Sequence, residues 1–479
     1  MSTQSNNPPE NTQEGEIAVE YIPSQDLVEN LQDMLLDQYP LHLQQPRRVA
    51  MKAQFPICGM NGKAGDVGML WSGLRGEGFE EYREANGMLS ALIGERYTYR
   101  VAAGRGIMEI DIPLCDDLHD LAWRLHEAVQ RLIPAAQKWN KEVIGYGGQP
   151  LQALTPDCLT HKFKYFSLLR KLKEPYLYHG LQALSSIQIE VDKNELLDQL
   201  NWGHVLTPIF KMASACSPVF AGEDAHVGSG RWRQEAQLAV DEVGDGRWQM
   251  SEEPYSGMDE WVFHMLYQPH LLLRDAEGWL NPADGVFGEY AEGKMGIEIW
   301  DDFLDHMDTM WMSTTPNIRE GLLQFTQIEQ CGIPMQMALT ALALGLMNSQ
   351  DAAWRWLEDL VPDPPPKREF GLYPEDILRR DLNYRKDVYG AMQKYWHQVS
   401  KLGRPFPEPF FGCFDGLLSF ATQSLKERGR GEEVYLEPLR QFWESKQDRN
   451  IELRREWILN GMESMMAMLR IPLMEDASE

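Results

Sequence analysis

The sequence predicts an α+β protein, in which an antiparallel sheet rests one face on helices and a largely helical region follows. Three observations point there. The segment "VAMKAQFPIC" alternates, with Val49, Met51, Ala53, Phe55 and Ile57 on one side of an extended chain and Ala50, Lys52, Gln54 and Pro56 on the other. "GIMEIDIPL" and "SSIQIEV" share that alternation, setting Met108, Ile110, Ile112, Ile187, Ile189 and Val191 against Glu109, Asp111, Ser186, Gln188 and Glu190. Residues 116 to 141 carry Leu118, Leu121, Leu125, Val129 and Leu132 at helical spacing.

In chain order, the opening "MSTQSNNPPENTQEGE" is polar and lacks periodic apolar positions, so residues 1–23 are expected as a disordered lead. A serine-capped helix then starts at Ser24, with Leu27, Leu31 and Leu35 on one face. After the first strand come a glycine-punctuated stretch, Gly59 to Gly78, a helix reaching Ile93, and the extended segments "RYTYRVAA" and "GIMEIDI". Behind the long helix, "VIGYGGQPL" reads as a buried strand opening into a loop. Helices are expected over Thr160 to Leu172 and from Asn194 to about Ser214, flanking "SSIQIEV". Ser217 to Asp284, rich in glycine, tryptophan and proline, reads as long loops over a cleft. "PDPPPK" at Pro362 to Lys367 is a stiff connection, with helices beyond it over Asp376 to Lys401 and Glu432 to Glu444. The boundaries drawn are a lead (1–23), a sheet-and-helix core (24–361) and a helical C-terminal region packed on it (362–479).

Composition excludes some functions. A formal charge of -27 over 479 residues argues against nucleic acid and against anionic membrane surfaces, because both demand a basic footprint. The six cysteines stand at least forty residues apart, so no CxxC pair exists, and they read as free thiols of a reducing cytoplasm. The opening does not read as a signal peptide, and no apolar run reaches membrane-spanning length, "MALTALALGLM" being too short, so a soluble chain is expected.

The polar faces of the three strands are open to two readings: a solvated sheet face, or an oxygen-rich surface of the kind that magnesium and its phosphates use. "AHVGSGRWRQEA" offers Arg231 and Arg233 among glycines as partners for carboxylate or phosphate. "GMNGKAG" is not a P-loop, and "GRGIME" and "GYGGQP" lack the third glycine of a dinucleotide fingerprint. His119 and His126, seven apart on one helix, read as a packed or solvated face, and the Met-rich stretch from Gly461 to Leu469 as core or partner-facing.

The order of segments resembles the glutamate-cysteine ligases, among the glutamine-synthetase-like carboxylate-amine ligases. "GRGIMEIDIPLCDDLHDLAWRLHEAVQRLIPAAQKWNKEVIGYGGQPL" is similar to that family's glutamate-bearing strand, long helix and glycine-rich strand. "HKFKYFSLLRKL", "SSIQIEVDKNELLDQLNWGHVLTPIFKMASACSPVF", "GSGRWRQEA" and "RGRGEEVYLEPLRQFWES" follow in the family's order. The resemblance implies a sheet curved into an open half-barrel, helices on its convex side, and magnesium and ATP on its concave side. It also implies activation of a glutamate-like carboxylate as an acyl phosphate for attack by an amine.

Transferred position by position, it makes Glu109, Gln188, Glu190 and Glu329 the metal ligands. Arg231 and Lys164 become the catalytic cations, and Tyr165, Arg233, Lys52 and Gln54 the nucleotide-side residues. Lys52 and Gln54 stand where the family carries metal-binding glutamates, Glu190 where it carries asparagine, and Gln330 where it carries arginine. The family set Glu, Glu, Glu, Asn carries -3; Lys52, Gln54, Glu109 and Glu190 carry -1, so Lys52 is expected to pair with Glu190 or Glu109. The readings are therefore a divergent ATP-dependent ligase acting on a small molecule or peptide, a pseudoenzyme serving as a binding or regulatory subunit, or an oligomeric structural protein.

Overall fold

The computed structural model describes residues 21–43, 46–225, 253–294, 296–360, 410–445 and 449–473. Eight strands follow one another across an open antiparallel sheet: β1 (Val49–Cys58), β2 (Phe79–Arg83), β3 (Leu89–Gly94), β4 (Thr98–Val101), β5 (Ile107–Cys115), β7 (Leu184–Glu190), β12 (Thr314–Asn317) and β13 (Leu322–Glu329). Their spatial order is β12-β13-β7-β1-β5-β4-β3-β2, and the short β6 (Glu142–Val143) extends the end of β1. Two small hairpins, β8 (Val219–Phe220) with β9 (Glu223–Asp224) and β10 (Leu272–Arg274) with β11 (Leu280–Pro282), lie outside the sheet.

Strand alternation decides which face is covered. Met51, Ala53, Phe55 and Ile57 are fully buried, as are Met108, Ile110, Ile112, Ile189 and Leu323 on the neighbouring strands. On them lie α3 (Leu118–Gln137), α5 (Leu196–Ser214) and the helix Ile333–Asn348. Each such aliphatic or aromatic side chain contributes about 1.5–3 kcal/mol on burial, so a one-residue register slip that exposed them all would be ruinous. Close approach is enforced at Gly203 of α5, where an added Cβ would sit 2.4 Å from Thr314 Cγ2.

Local signals account for the helix starts. The Ser24 hydroxyl accepts from Leu27 N at 3.4 Å to begin α1 (Gln25–Leu36), and Asp117 accepts from Asp120 N at 2.9 Å to begin α3. A second cap on α3 comes from far away. Leu118 N donates to Glu432 at 2.9 Å, and Arg428 pairs with that same buried carboxylate at 2.5 Å, tying the C-terminal helices to the core.

Some expectations are corrected. The helix expected up to Ile93 is the β2–β3 hairpin, turning at Gly87 with φ 81°. "VIGYGGQPL" keeps only its first residue, Val143, in strand β6, before running as an irregular segment beside residues 181–183. Within Ser217 to Asp284, the described residues contain the helix Met258–Leu266 and the two small hairpins besides loops, and the helices Phe287–Ala291 and Ile297–Met307 follow. Residues 1–20, the "PDPPPK" connection and the helix expected over Asp376 to Lys401 lie outside the described residues. Among the described residues no helix is long and apolar enough to cross a membrane.

Candidate functional site

Register gathers the polar side chains opposite the helices. Lys52 stands between Asp111 on β5 and Ser186 on β7; Gln54 is paired with Glu109, and Glu109 with Arg100 of β4. Gln188 lies between Ala50 and Gln324 of β13. Side chains opposite one another across strands share a face, so Lys52, Gln54, Arg100, Glu109, Asp111, Ser186, Gln188 and Gln324 line one surface. Two elements stand over it. In α4 (Phe163–Leu172), Lys164 reaches Asp308 at 3.5 Å, and Lys162, preceding the helix, reaches Glu84 at 3.2 Å. Tyr165 is held protonated by burial first, then by the charges of Glu109, Glu84 and Asp308. Asp308 follows the helix Ile297–Met307 and also faces Arg319 at 3.7 Å.

The centre of this face is an ion lattice. Lys52 Nζ bonds Glu320 at 3.2 Å, with Asp111 and Glu109 as its other charged neighbours. Burial works against its charge, but the three carboxylates outweigh burial and its pKa is raised. Asp111 is also raised, chiefly by burial and by Glu109, although Lys52 and Arg100 oppose that shift; Arg100 Nε lies 3.3 Å from it. The expected partnership of Lys52 with Glu109 is present as a through-space charge contact. Its expected alternative, Glu190, is bound elsewhere.

Gln54 is fully committed: its Nε2 donates to Glu109 Oε2 at 2.9 Å, and its Oε1 accepts from Leu184 N at 3.0 Å. Gln188 is buried, donates to Gln324 Oε1 at 3.3 Å and leaves its own Oε1 without a partner. Glu190, at the strand's end, accepts from Arg48 three times: from the backbone N at 2.8 Å, Nε at 3.0 Å and Nη2 at 2.6 Å. Glu329 is separated from the lattice altogether. Its Oε2 accepts from Cys216 N at 3.0 Å and the Ser217 hydroxyl at 2.8 Å, in a buried position against Gly147. Gln330, beside it, is buried and bonds Gly332 N at 2.9 Å. Arg231 and Arg233 lie outside the described residues.

Magnesium asks for roughly octahedral oxygen ligands at about 2.0–2.1 Å, usually including carboxylates free to turn toward it. These residues do not fit that demand. Lys52 sets an ammonium among Glu109, Asp111 and Glu320, Gln54 turns its N–H toward Glu109, and Glu190 and Glu329 are bonded in other places. The lone unpartnered oxygen of Gln188 has Ala50 and Gln324 as its register neighbours, neither of them a carboxylate. Among the described residues no group of three or more His, Cys, Asp or Glu is placed to share an ion.

Four described cations, Lys52, Arg100, Lys164 and Arg319, face four carboxylates, Glu109, Asp111, Asp308 and Glu320, for a formal charge of zero. Arg100, Asp308, Arg319 and Glu320 were not singled out from sequence. Arg100 occupies the alternating position of "TYRV" and was legible in principle. Glu320 lies in the β12–β13 turn, where no periodicity operates.

Comparison with known proteins yields distant structural likeness only. No protein-family model matches the chain, and no curated protein does. A bifunctional glutathione synthetase from Pasteurella multocida superposes with a TM-score of 0.45 at 12% identity, over 93% of this chain and 52% of that one. The chain thus spans about half the length of that protein. A glutamate–cysteine ligase from Francisella tularensis, solved in complex with AMP, gives 0.43 at 10% identity, over 88% of this chain and 87% of that one. A glutamine synthase homolog gives 0.25 at 9% identity, over 86% of this chain and 74% of that one.

Proposed function

We propose that this chain is a ligase-like scaffold that works as a binding or regulatory protein, taking a small polar ligand on the charged sheet face without metal-dependent nucleotide turnover. The observation that carries this reading is Lys52. Its ammonium, bonded to Glu320 at 3.2 Å and flanked by Asp111 and Glu109, fills the position where a dication would need carboxylates. A divalent ion entering there would meet a cation that three carboxylates hold against the cost of its burial, and a face whose formal charge is already balanced.

The second reading, a divergent ATP-dependent carboxylate-amine ligase of gamma-glutamyl type, is favoured by the segment order and by Tyr165 lying within reach of the Glu109 charge, with Lys164 next to it on Asp308. One experiment separates the two. ADP release is measured with ATP, magnesium and a panel of amino acids and amines, alongside nucleotide thermal shifts with and without magnesium. The binding reading expects no turnover above background and no magnesium-dependent shift. Robust turnover would overturn it.

A further inference from the structure

Beyond the ion lattice, the same face ends in a cavity of about 270 Å³ between β12, β13 and the helix Ile297–Met307. Ligand pockets usually start at roughly 300 Å³, so its occupant is small. Gln182 and Thr315 lie in the wall, but the unbonded amide of one and the unbonded hydroxyl of the other are closed to water and offer a ligand nothing. What the cavity presents are the half-buried Trp311, Met307 and Leu184, with the Trp311 and His179 rings 4.7 Å apart, and the exposed Arg319 at its mouth.

Arg319 is the open group. Its side chain is 47% exposed and only Nη2 is engaged, by Asp305 at 3.3 Å and Asp308 at 3.7 Å; Nε and Nη1 donate no hydrogen bond among the described residues. Both carboxylates are also held by other cations: Arg274 grips Asp305 through Nε at 2.9 Å and Nη2 at 2.6 Å, and Lys164 reaches Asp308 at 3.5 Å. The cavity end of the face therefore sets Lys164, Arg274 and Arg319 against Asp305 and Asp308, while the lattice end sets Lys52 and Arg100 against Glu109, Asp111 and Glu320. Balanced as a whole, the face is split, with one positive charge to spare beside the cavity.

We propose that this cavity binds a small aromatic monocarboxylate, its ring against Trp311 and its carboxylate on Arg319. The unengaged N–H groups of a guanidinium give a carboxylate charge-assisted bonds, about twice as strong as neutral ones. One spare charge suits a monoanion, whereas a phosphate ester brings a second negative charge that nothing here answers. The wall selects the ring: an indole offers a flat face to an offset-stacked partner, and the Met307 thioether favours a ring edge. Strand β12 lies between Trp311 and Arg319 in the chain and holds the two halves of the site in one register.

The proposal deepens the metal-free binding reading by naming a ligand class, and is tested apart from it. Benzoate and indole-3-acetate are titrated calorimetrically into the full chain, without nucleotide or magnesium, against benzamide, acetate and phenyl phosphate. The aromatic acids are expected to bind at least ten-fold more tightly than benzamide, which lacks the charge, and than acetate, which lacks the ring; phenyl phosphate is expected to bind no more tightly than benzoate. Arg319→Gln should erase the advantage of benzoate over benzamide, and Trp311→Leu its advantage over acetate. Asp305 keeps Arg274 and Asp308 keeps Lys164, so the glutamine variant should hold the parent's melting temperature. If it does not, Arg319→Lys, which keeps the charge and loses the planar fork, is expected to retain part of the preference. No binding of either acid, benzamide, acetate or phenyl phosphate outdoing these expectations, or Arg319 variants that bind benzoate as the parent does would overturn the proposal. ADP release in the assay above would remove the metal-free reading and leave this titration standing; a failed titration would leave that reading intact.

Discussion

Replacing Lys52 and Gln54 together by glutamate converts the face from a self-neutralised lattice into one that needs a cation. The double variant adds three negative charges, two at position 52 and one at position 54. The Lys52–Glu320 contact at 3.2 Å is lost; with the side chains 28% and 43% exposed, it is discounted to about 1 kcal/mol. New like-charge pairs arise opposite Asp111 and Glu109, destabilising by up to about 1 kcal/mol each. The hydrogen bond from Gln54 to the Glu109 carboxylate contributes about another 1.5 kcal/mol.

The expected loss in metal-free buffer is thus up to about 4.5 kcal/mol, a large share of the roughly 5–15 kcal/mol that holds a domain folded. Magnesium at a hundred times its dissociation constant would return about 2.7 kcal/mol. Urea unfolding with EDTA and with magnesium reads both effects. The reasoning fails if the parent gains as much from magnesium as the variant does, or if the variant is indifferent to it.

Three further outcomes follow from the geometry. Glu190→Gln weakens the three-bond grip on Arg48 and should cost about 1–2 kcal/mol in urea unfolding. Gly147→Ala sets a Cβ 2.4 Å from Glu329 Oε2 and forces that carboxylate off Cys216 and Ser217; a fall of about 2–3 kcal/mol is expected, and an unchanged melting temperature would contradict the buried role given to Glu329. His204 is pulled down to about 3 by burial and, secondarily, by His264. Because the unfolded imidazole takes up its proton near the usual 6.5 while the folded one does not, stability should decline as pH falls from 6.5 toward 3, by up to about 1.4 kcal/mol per unit. His204→Asn should flatten that slope in urea midpoints measured at pH 7.5, 6 and 5.

What the sequence determined by itself is a matter of period. The two-residue alternation of "VAMKAQFPIC", "GIMEIDI" and "SSIQIEV" selects which side chains can enter a core, so the strands, their covered face and the polar company of Lys52, Gln54, Glu109 and Gln188 were legible before any coordinates. The spacing of leucines in α3 and the serine before α1 were legible for the same local reason. "GMLSALI" was misread as helix because a short apolar run carries no period that separates helix from strand; its pairing with β2 and β4 decided the matter.

Tertiary structure alone decided the partners. Whether Lys52 answers Glu190 or Glu320 depends on a turn 268 residues away, and the answer, Glu320, left Glu190 to Arg48. Counted in twos, Glu329 falls with Leu323 and Phe325 on the covered side; a bulge in the pairing with β7 sets it opposite Leu184, and there Gly147 packs on it and Cys216 and Ser217 bond it. The unbonded amide of Gln182 is likewise invisible in sequence, because a hydrogen bond that is not made is a property of everything surrounding the group, and that surrounding exists only once the chain has closed.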